Sequence, residues 1–333
     1  MENHEFNPLI GSVGDFLKRI DDYFQRRRED FYSPDLAGLT FFRGHSDSRY
    51  NLEPSLFRGL TSEFDKPVDL YRSEQAMIRD SLQLLPNDFS SNAFDLLCKM
   101  QHFGLPTRLL DVTSNPLVAL YFATSGSNSN DGEVIIVPPL PTVSSDNRII
   151  LTIAEFAVRG NWDFLDLEEF TLHLHRKYGF ENDPSNTLSA LTVPYSMVRS
   201  EYSNRRMRAQ QGAFMMFGVE EKPTEREDRL AFQPSRVDRN TIDKARNVTF
   251  QYWEGEFNRM IIQGNCKTKI RKQLDRIGIS RSTLFPEIEH QLGYISDSYK
   301  TGLRGSEFGW EDTFRSDDIN DFLKHGFWNS PKD

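Results

Sequence analysis

The chain has 333 residues, 38% of them hydrophobic and 27% charged, and its 40 basic and 49 acidic residues leave a formal net charge of −9. Such values describe a globular protein with room for one large core or two moderate ones, and they exclude nonspecific nucleic-acid binding driven by bulk charge. The densest apolar runs, Leu117 to Ala123 and Val134 to Val137, fall far short of the roughly 20 residues a membrane-spanning helix needs, so no membrane association is expected. Cys98 and Cys266 are the two cysteines; they make no disulfide framework and have no CxxC partner. The opening Met1-Glu2-Asn3-His4-Glu5 is acidic where a secretory leader is basic and then apolar, and together these features point to a reducing, cytoplasmic compartment.

From Ser12 to about Asp30, Val13, Phe16, Leu17, Ile20, Tyr23 and Phe24 recur at three- and four-residue steps behind a serine cap, the pattern of an amphipathic helix. Arg26-Arg27-Arg28 at its end complements the helix dipole. Leu39-Thr40-Phe41-Phe42, broken by Gly44, reads as a strand leading into a polar loop. Helices are expected over about 69–85 and 91–102. A Gly-Leu-Pro turn at 104–106 then precedes an extended run from Thr107 to Val112, and Thr113-Ser114-Asn115-Pro116 opens a further helix.

Ser125 to Asp131 is rich in Ser, Asn and Gly and reads as a mobile loop. Glu133 to Val137 reads as a buried strand, and a helical pattern covers Phe164 to Lys177. Residues 219–245 are strongly charged and are expected to form an exposed, poorly ordered insertion. Thr249 to Ile262 can hold a strand, and Lys267 to Ile277 a helix closed by Gly278. The whole predicts an α+β fold with a bent, mixed sheet, strands near 39, 108, 134, 214 and 250, and helices around it.

Three stretches carry a resemblance. They are Phe42-Arg43-Gly44-His45 with Leu52 to Arg58; Gln101-His102-Phe103-Gly104-Leu105-Pro106-Thr107-Arg108-Leu109-Leu110-Asp111 continuing to Ala123; and Asn204 to Phe214. A weaker fourth runs from Lys269 to Pro286. In this order they resemble the FRG-domain family, named for the Phe-Arg-Gly step, with Val112 where tryptophan is frequent and Met207 where isoleucine is. The resemblance implies a helix at 1–35 packed on an FRG domain at 36–300, which includes the charged insertion, and a tail at 301–333.

The motifs also resemble the ADP-ribosyltransferase pattern, in which an Arg-Gly step binds the phosphates of a nicotinamide dinucleotide. That likeness implies a transferase-like fold with NAD as cofactor, and the FRG-domain resemblance implies a toxin-like effector of bacterial antiviral defence or of a toxin–antitoxin pair, with an antitoxin or defence-system partner. The third part of the pattern departs: Gln210-Gln211-Gly212-Ala213 supplies glutamines and no glutamate. Asp111, Glu133 and Glu201 are the acids weighed for that role.

Read from the residues alone, Arg43, Arg108 and Arg206 present planar guanidinium forks suited to phosphate, and Gly44 lets a ligand approach the backbone. Thr113 and Ser114 open a helix whose N-terminus favours an anion beside Arg108. The candidate cofactor-binding set is therefore Arg43, Gly44, Thr107, Arg108, Thr113 and Arg206, and the candidate catalytic set Arg43, His102, Asp111 and Gln211. The opposing reading makes Asp111 a core partner of Arg108 or Arg43 and Thr113 a simple cap.

A hydrolytic alternative pairs His102 or His45 with Asp111. His173 and His175 stand two residues apart in a predicted helix, which spreads them over different faces and yields no metal site. Arg199, Arg205, Arg206 and Arg208 near Tyr195 and Tyr202 suggest the other class of function, a noncatalytic module binding nucleic acid or a protein partner.

Overall fold

The computed structural model describes residues 9–30, 40–58, 60–61, 67–68, 70–89, 92–137, 142–199, 205–223, 230–235, 237 and 258–287. One unit runs to Ser280 and a second starts at Arg281; the central sheet and the helices packed on it belong to the first. Predicted tail residues 301–333, Glu201 and Tyr202 lie outside the described residues, as do the side chains of Arg26, Arg27 and Arg28.

The elements in chain order are β1 (Leu9–Ile10), α1 (Val13–Asp30), β2 (Phe41–His45), β3 (Leu60–Thr61), β4 (Pro67–Val68), α2 (Glu74–Leu84), α3 (Ala93–His102), β5 (Leu109–Thr113), α4 (Pro116–Thr124), β6 (Gly132–Val137), β7 (Thr142–Val143), α5 (Arg148–Arg159), α6 (Leu167–Tyr178), α7 (Pro184–Leu191), β8 (Tyr195–Val198), α8 (Arg205–Ala209), β9 (Gly212–Phe217), β10 (Val219–Lys222), β11 (Ala231–Pro234), β12 (Asn258–Ile262) and α9 (Lys267–Arg276). The fold is α+β. Its centre is an eight-stranded sheet in the order β1-β12-β6-β2-β5-β9-β8-β7. The sheet is mixed: β1 with β12 and β7 with β8 are parallel, and the other neighbours are antiparallel. No helix among the described residues is long and apolar enough to cross a membrane.

Local signals account for most helix ends. Ser12 Oγ accepts from the Asp15 amide at the start of α1, Asn92 caps α3, and Asp166 caps α6. These are side-chain acceptors meeting the amides that a helix leaves unpaired. At the end of α9, Gly278 has φ 83°, and the amides of Gly278 and Ile279 return to the carbonyls of Asp275 and Leu274. That double return needs a left-handed residue, which glycine adopts without a Cβ clash.

Strand alternation sorts the core. Phe41, Leu110, Val112, Ile135, Val137, Met215 and Phe217 face one cluster, joined by Phe156, Trp162 and Phe170. The opposite face carries two. Leu109, Val198, Phe214 and Met216 pack on α3 and α5, while Phe42, Val134, Ile136, Met260 and Ile262 pack on α1, α4 and α9.

Two segments differ from the sequence reading. The loop 125–131, read as mobile, is tied down: Lys267 Nζ, fully buried, donates to the carbonyls of Ser127 (3.0 Å) and Ser46 (2.6 Å). Asn128 meets Thr268 and Arg271, Asn130 meets Asp47, and Asp131 accepts from the Gly264 amide. Its short polar side chains serve as anchors for α9. In the second segment, read as an exposed insertion, the described residues form the β10–β11 hairpin. Glu220 to Lys222 are exposed, but Val219, Phe232 and Val237 enter the first core cluster. A few apolar residues spaced among charges suffice to seat a hairpin when one face is buried. The rest of 219–245 lies outside the described residues.

Candidate anion site at the sheet seam

The two middle strands of the sheet, β2 and β5, pair at a single position, Phe42 opposite Thr113, whereas each pairs along its length with its other neighbour. A cavity of about 170 Å3 opens beside this seam, lined by Phe42, Arg43, Gly44, Asp111, Val112 and Thr113, by Val118 and Phe122 of α4, and by Arg206, Met207, Gln210 and Gly212. Phe42 belongs to one of the two core clusters of that sheet face and Met207 to the other. The cavity therefore lies where two separately packed halves meet.

Arg43 spans the seam. Its Nη1 donates to the backbone carbonyl of Asp111 at 2.7 Å, a group that strand pairing leaves open there. Its Nε is buried and has no hydrogen-bond partner among the described residues. Burial pushes the guanidinium down from its usual value, the Asp111 carboxylate pulls it back, and Arg58 adds repulsion. It nevertheless stays cationic at any physiological pH. Arg43 thus places a guanidinium cation at the wall of the cavity, a group whose donors match an anion's oxygens.

Asp111 does not meet Arg43 through its carboxylate. Its Oδ1 accepts from Gln101 Nε2 at 3.0 Å, and the Oε1 of the same Gln101 accepts from Thr107 Oγ1. Gln101 thus orients the acid from α3, a role that inspection of the sequence missed. The signal was present, since Gln101 opens the same dense motif, but its partner lies across a turn.

The other predicted residues divide sharply. Arg108 is not in the cavity. It is fully buried, donates Nε to Glu74 Oε1 at 2.8 Å and Nη2 to Glu74 Oε2, and lies over the rings of Phe156 and Trp162 at 5.3 and 5.2 Å. This corrects the expectation of a phosphate ligand there: the side chain is a structural ion pair, with Glu74 as partner rather than Asp111. Thr107 is buried beside Gln101 and is absent from the lining. Asn115, not Thr113 or Ser114, caps α4 through the Leu117 amide. Thr113 Oγ1 instead donates to the Gln210 carbonyl (2.7 Å) and accepts from the Asn115 amide, locking β5 to the turn before β9.

Gln211 is exposed at a left-handed backbone position, φ 47°, and its neighbour Gln210 is the buried glutamine that lines the cavity. His102 packs its ring edge-on against Phe103 at 4.9 Å, outside the lining. Gly44 has a packing role. A Cβ there would stand 1.9 Å from the Ala119 carbonyl oxygen of α4, so glycine serves the close approach of helix and strand rather than that of a ligand.

His173 and His175 turn to different partners, Glu155 at 2.8 Å and the Phe180 carbonyl at 2.6 Å. Tyr195 is half-buried against Phe217 at 6.0 Å, and burial pushes its hydroxyl up to about 12; its ring is engaged in the core rather than presented for base stacking.

Residues 39–132 match the model of the FRG domain. No curated protein and no solved structure matches the chain. The matched segment supplies β2, β5 and α4 around the cavity, while Arg206, Met207, Gln210 and Gly212 come from beyond it.

Proposed function

With membership of the FRG-domain family as the starting point, we propose that the Arg43 cavity binds the phosphate end of a nucleotide and that the protein is a nucleotide-directed effector. The observation that carries this reading is the buried Arg43 Nε without a partner, set in a cavity that a second guanidinium, Arg206, also lines. Guanidinium forks match phosphate oxygens in geometry and charge. The volume, about 170 Å3, is smaller than the ~300–1,000 Å3 of pockets that enclose whole ligands. The cavity therefore receives the charged group and leaves the base outside.

Within this reading NAD is the dinucleotide to test first, because the Arg-Gly step is similar to that of ADP-ribosyltransferases. Such a transfer requires a carboxylate beside the oxocarbenium-like ribose. Asp111 is the acid among the lining residues, held by Gln101, and it takes the place of the glutamate missing at Gln210-Gln211. A part in antiviral defence or a toxin–antitoxin pair rests on family resemblance.

The decisive experiment is calorimetric titration of NAD, ATP and a short RNA into the wild-type protein and Arg43→Ala at two salt concentrations. Saturable nucleotide binding that disappears in the variant is expected. Binding of RNA alone, weakening steeply with salt, overturns the pocket and promotes the nucleic-acid module.

A further inference from the structure

Along β5 the side chains alternate between the two faces of the sheet. Leu109 packs on the side of α3 and α5, and Asp111, two residues on, shares that side, which also carries Phe42 and the α4 residues of the cavity. Asp111 thus brings a carboxylate into a cavity whose other charged lining residues, Arg43 and Arg206, are cations. A carboxylate among the ligands of an anion is a selective element, because it repels any bare oxygen set against it.

A chain of hydrogen bonds fixes how that carboxylate acts. The backbone amide of Leu109, which can only donate, gives its proton to Thr107 Oγ1 at 3.3 Å. The buried Thr107 hydroxyl turns its own proton to Gln101 Oε1, and Gln101 Nε2 donates to Asp111 Oδ1 at 3.0 Å. Reversing the Gln101 amide would set its carbonyl against the carboxylate and leave the Thr107 proton without an acceptor, so one direction alone satisfies all four groups. Asp111 is therefore held as an acceptor. Its second oxygen takes no hydrogen bond from the described residues, and the side chain is half-buried rather than sealed.

We propose that Asp111 is the specificity-determining residue of this cavity and selects a protonated phosphate: the terminal phosphate of a monoester, which gives an acid O–H to Asp111 while its bare oxygens meet the guanidiniums, in preference to sulfate or a phosphodiester. This deepens the anion reading of the cavity and rests on it. A bare oxygen against the open oxygen of Asp111 meets like charge in a small, partly buried space. A P–O–H group there replaces that repulsion with a charge-assisted hydrogen bond, one of the stronger kinds. The bridging phosphates of NAD carry no acid proton, so a dinucleotide satisfies Asp111 only with a ribose hydroxyl.

The test is an NMR titration of the full-length chain with inorganic phosphate and with sulfate, followed at the amides of Thr113 and Gly212 in the cavity wall. Slightly above neutral pH the two ions are dianions of nearly the same shape, and phosphate alone carries a proton. Expected are phosphate binding, sulfate binding at least about tenfold weaker, the worth of a hydrogen bond to a charged group, and an Asp111→Asn variant that gains sulfate affinity and loses the preference. Equal affinity of the wild type for the two ions, a result that depends on no variant folding, overturns the proposal and leaves the anion reading intact. A preference that survives in folded Asp111→Asn does the same. If neither ion moves the cavity amides, the anion reading falls with it.

Discussion

Arg43 and Arg108 look alike in the sequence, each at a strand boundary within a dense motif, yet the fold gives them opposite situations. Arg108 is fully buried, forked onto a carboxylate through Nε and Nη2 and sandwiched by two rings, so its charge is met although its buried Nη1 has no hydrogen-bond partner among the described residues. Arg43 has a backbone carbonyl and a buried donor with nothing to meet. A protein retains a buried cation at small net cost once it is paired. Arg43 has no carboxylate in contact among the described residues, and it is the one of the two that lines the cavity at the seam.

The contrast can be broken most forcefully at Arg108. Glu74→Ala strands its guanidinium in the core and is expected to cost about 3–5 kcal/mol, read as a lower denaturant midpoint at unchanged slope. Arg43→Ala should behave in the reverse sense, changing stability by less than about 1 kcal/mol while weakening nucleotide phosphate binding by roughly 1.5–3 kcal/mol, about 10- to 150-fold. Equal destabilisation by the two variants would erase the distinction.

Gly44→Ala sharpens it from the backbone side. With a Cβ forced to within 1.9 Å of the Ala119 oxygen, α4 must shift, at a cost of about 1–3 kcal/mol, measured as a fall in Tm; a variant as stable as wild type would show that the helix yields freely.

The smallest effect lies in the loop after β2. The hydrogen bonds from Arg49 hold the Asp47 carboxyl at about 2, below its ordinary value, so its contribution exists above pH ~4 and fades as pH falls through 2. Because Arg49 is largely exposed, Asp47→Asn should cost at most about 1 kcal/mol at neutral pH, read as a small drop in denaturant midpoint. The difference from wild type should vanish in acid.

Of the candidate residues marked in the sequence, Arg43, Gly44, Asp111, Thr113 and Arg206 line one cavity, and His102, Thr107, Arg108 and Gln211 do not. The first set was legible because the strand, the turn, the proline and the capping residues are local signals. Arg108 was misread for the opposite reason. Its partner Glu74 is 34 residues away and its aromatic neighbours are farther still, so nothing nearby declares that its charge is already met. α5 went unread although Arg148, Thr152, Glu155 and Arg159 recur along it at three- and four-residue steps, the helical period. Gln210 and Gln211 exchanged places because a single left-handed residue, Gln211, reverses which of two adjacent side chains turns inward, and sequence alone does not record that reversal.

The single paired position between β2 and β5 has a mechanical meaning as well. It makes the middle of the sheet its most sparsely joined line, with Arg43's bond to the Asp111 carbonyl as an additional tie across it. Under the proposed function, an anion held between Arg43 and Arg206 would fasten the two leaves of the sheet, and its occupancy would be readable without any assay of chemistry as slowed amide exchange at Phe42 and Thr113 where the leaves join.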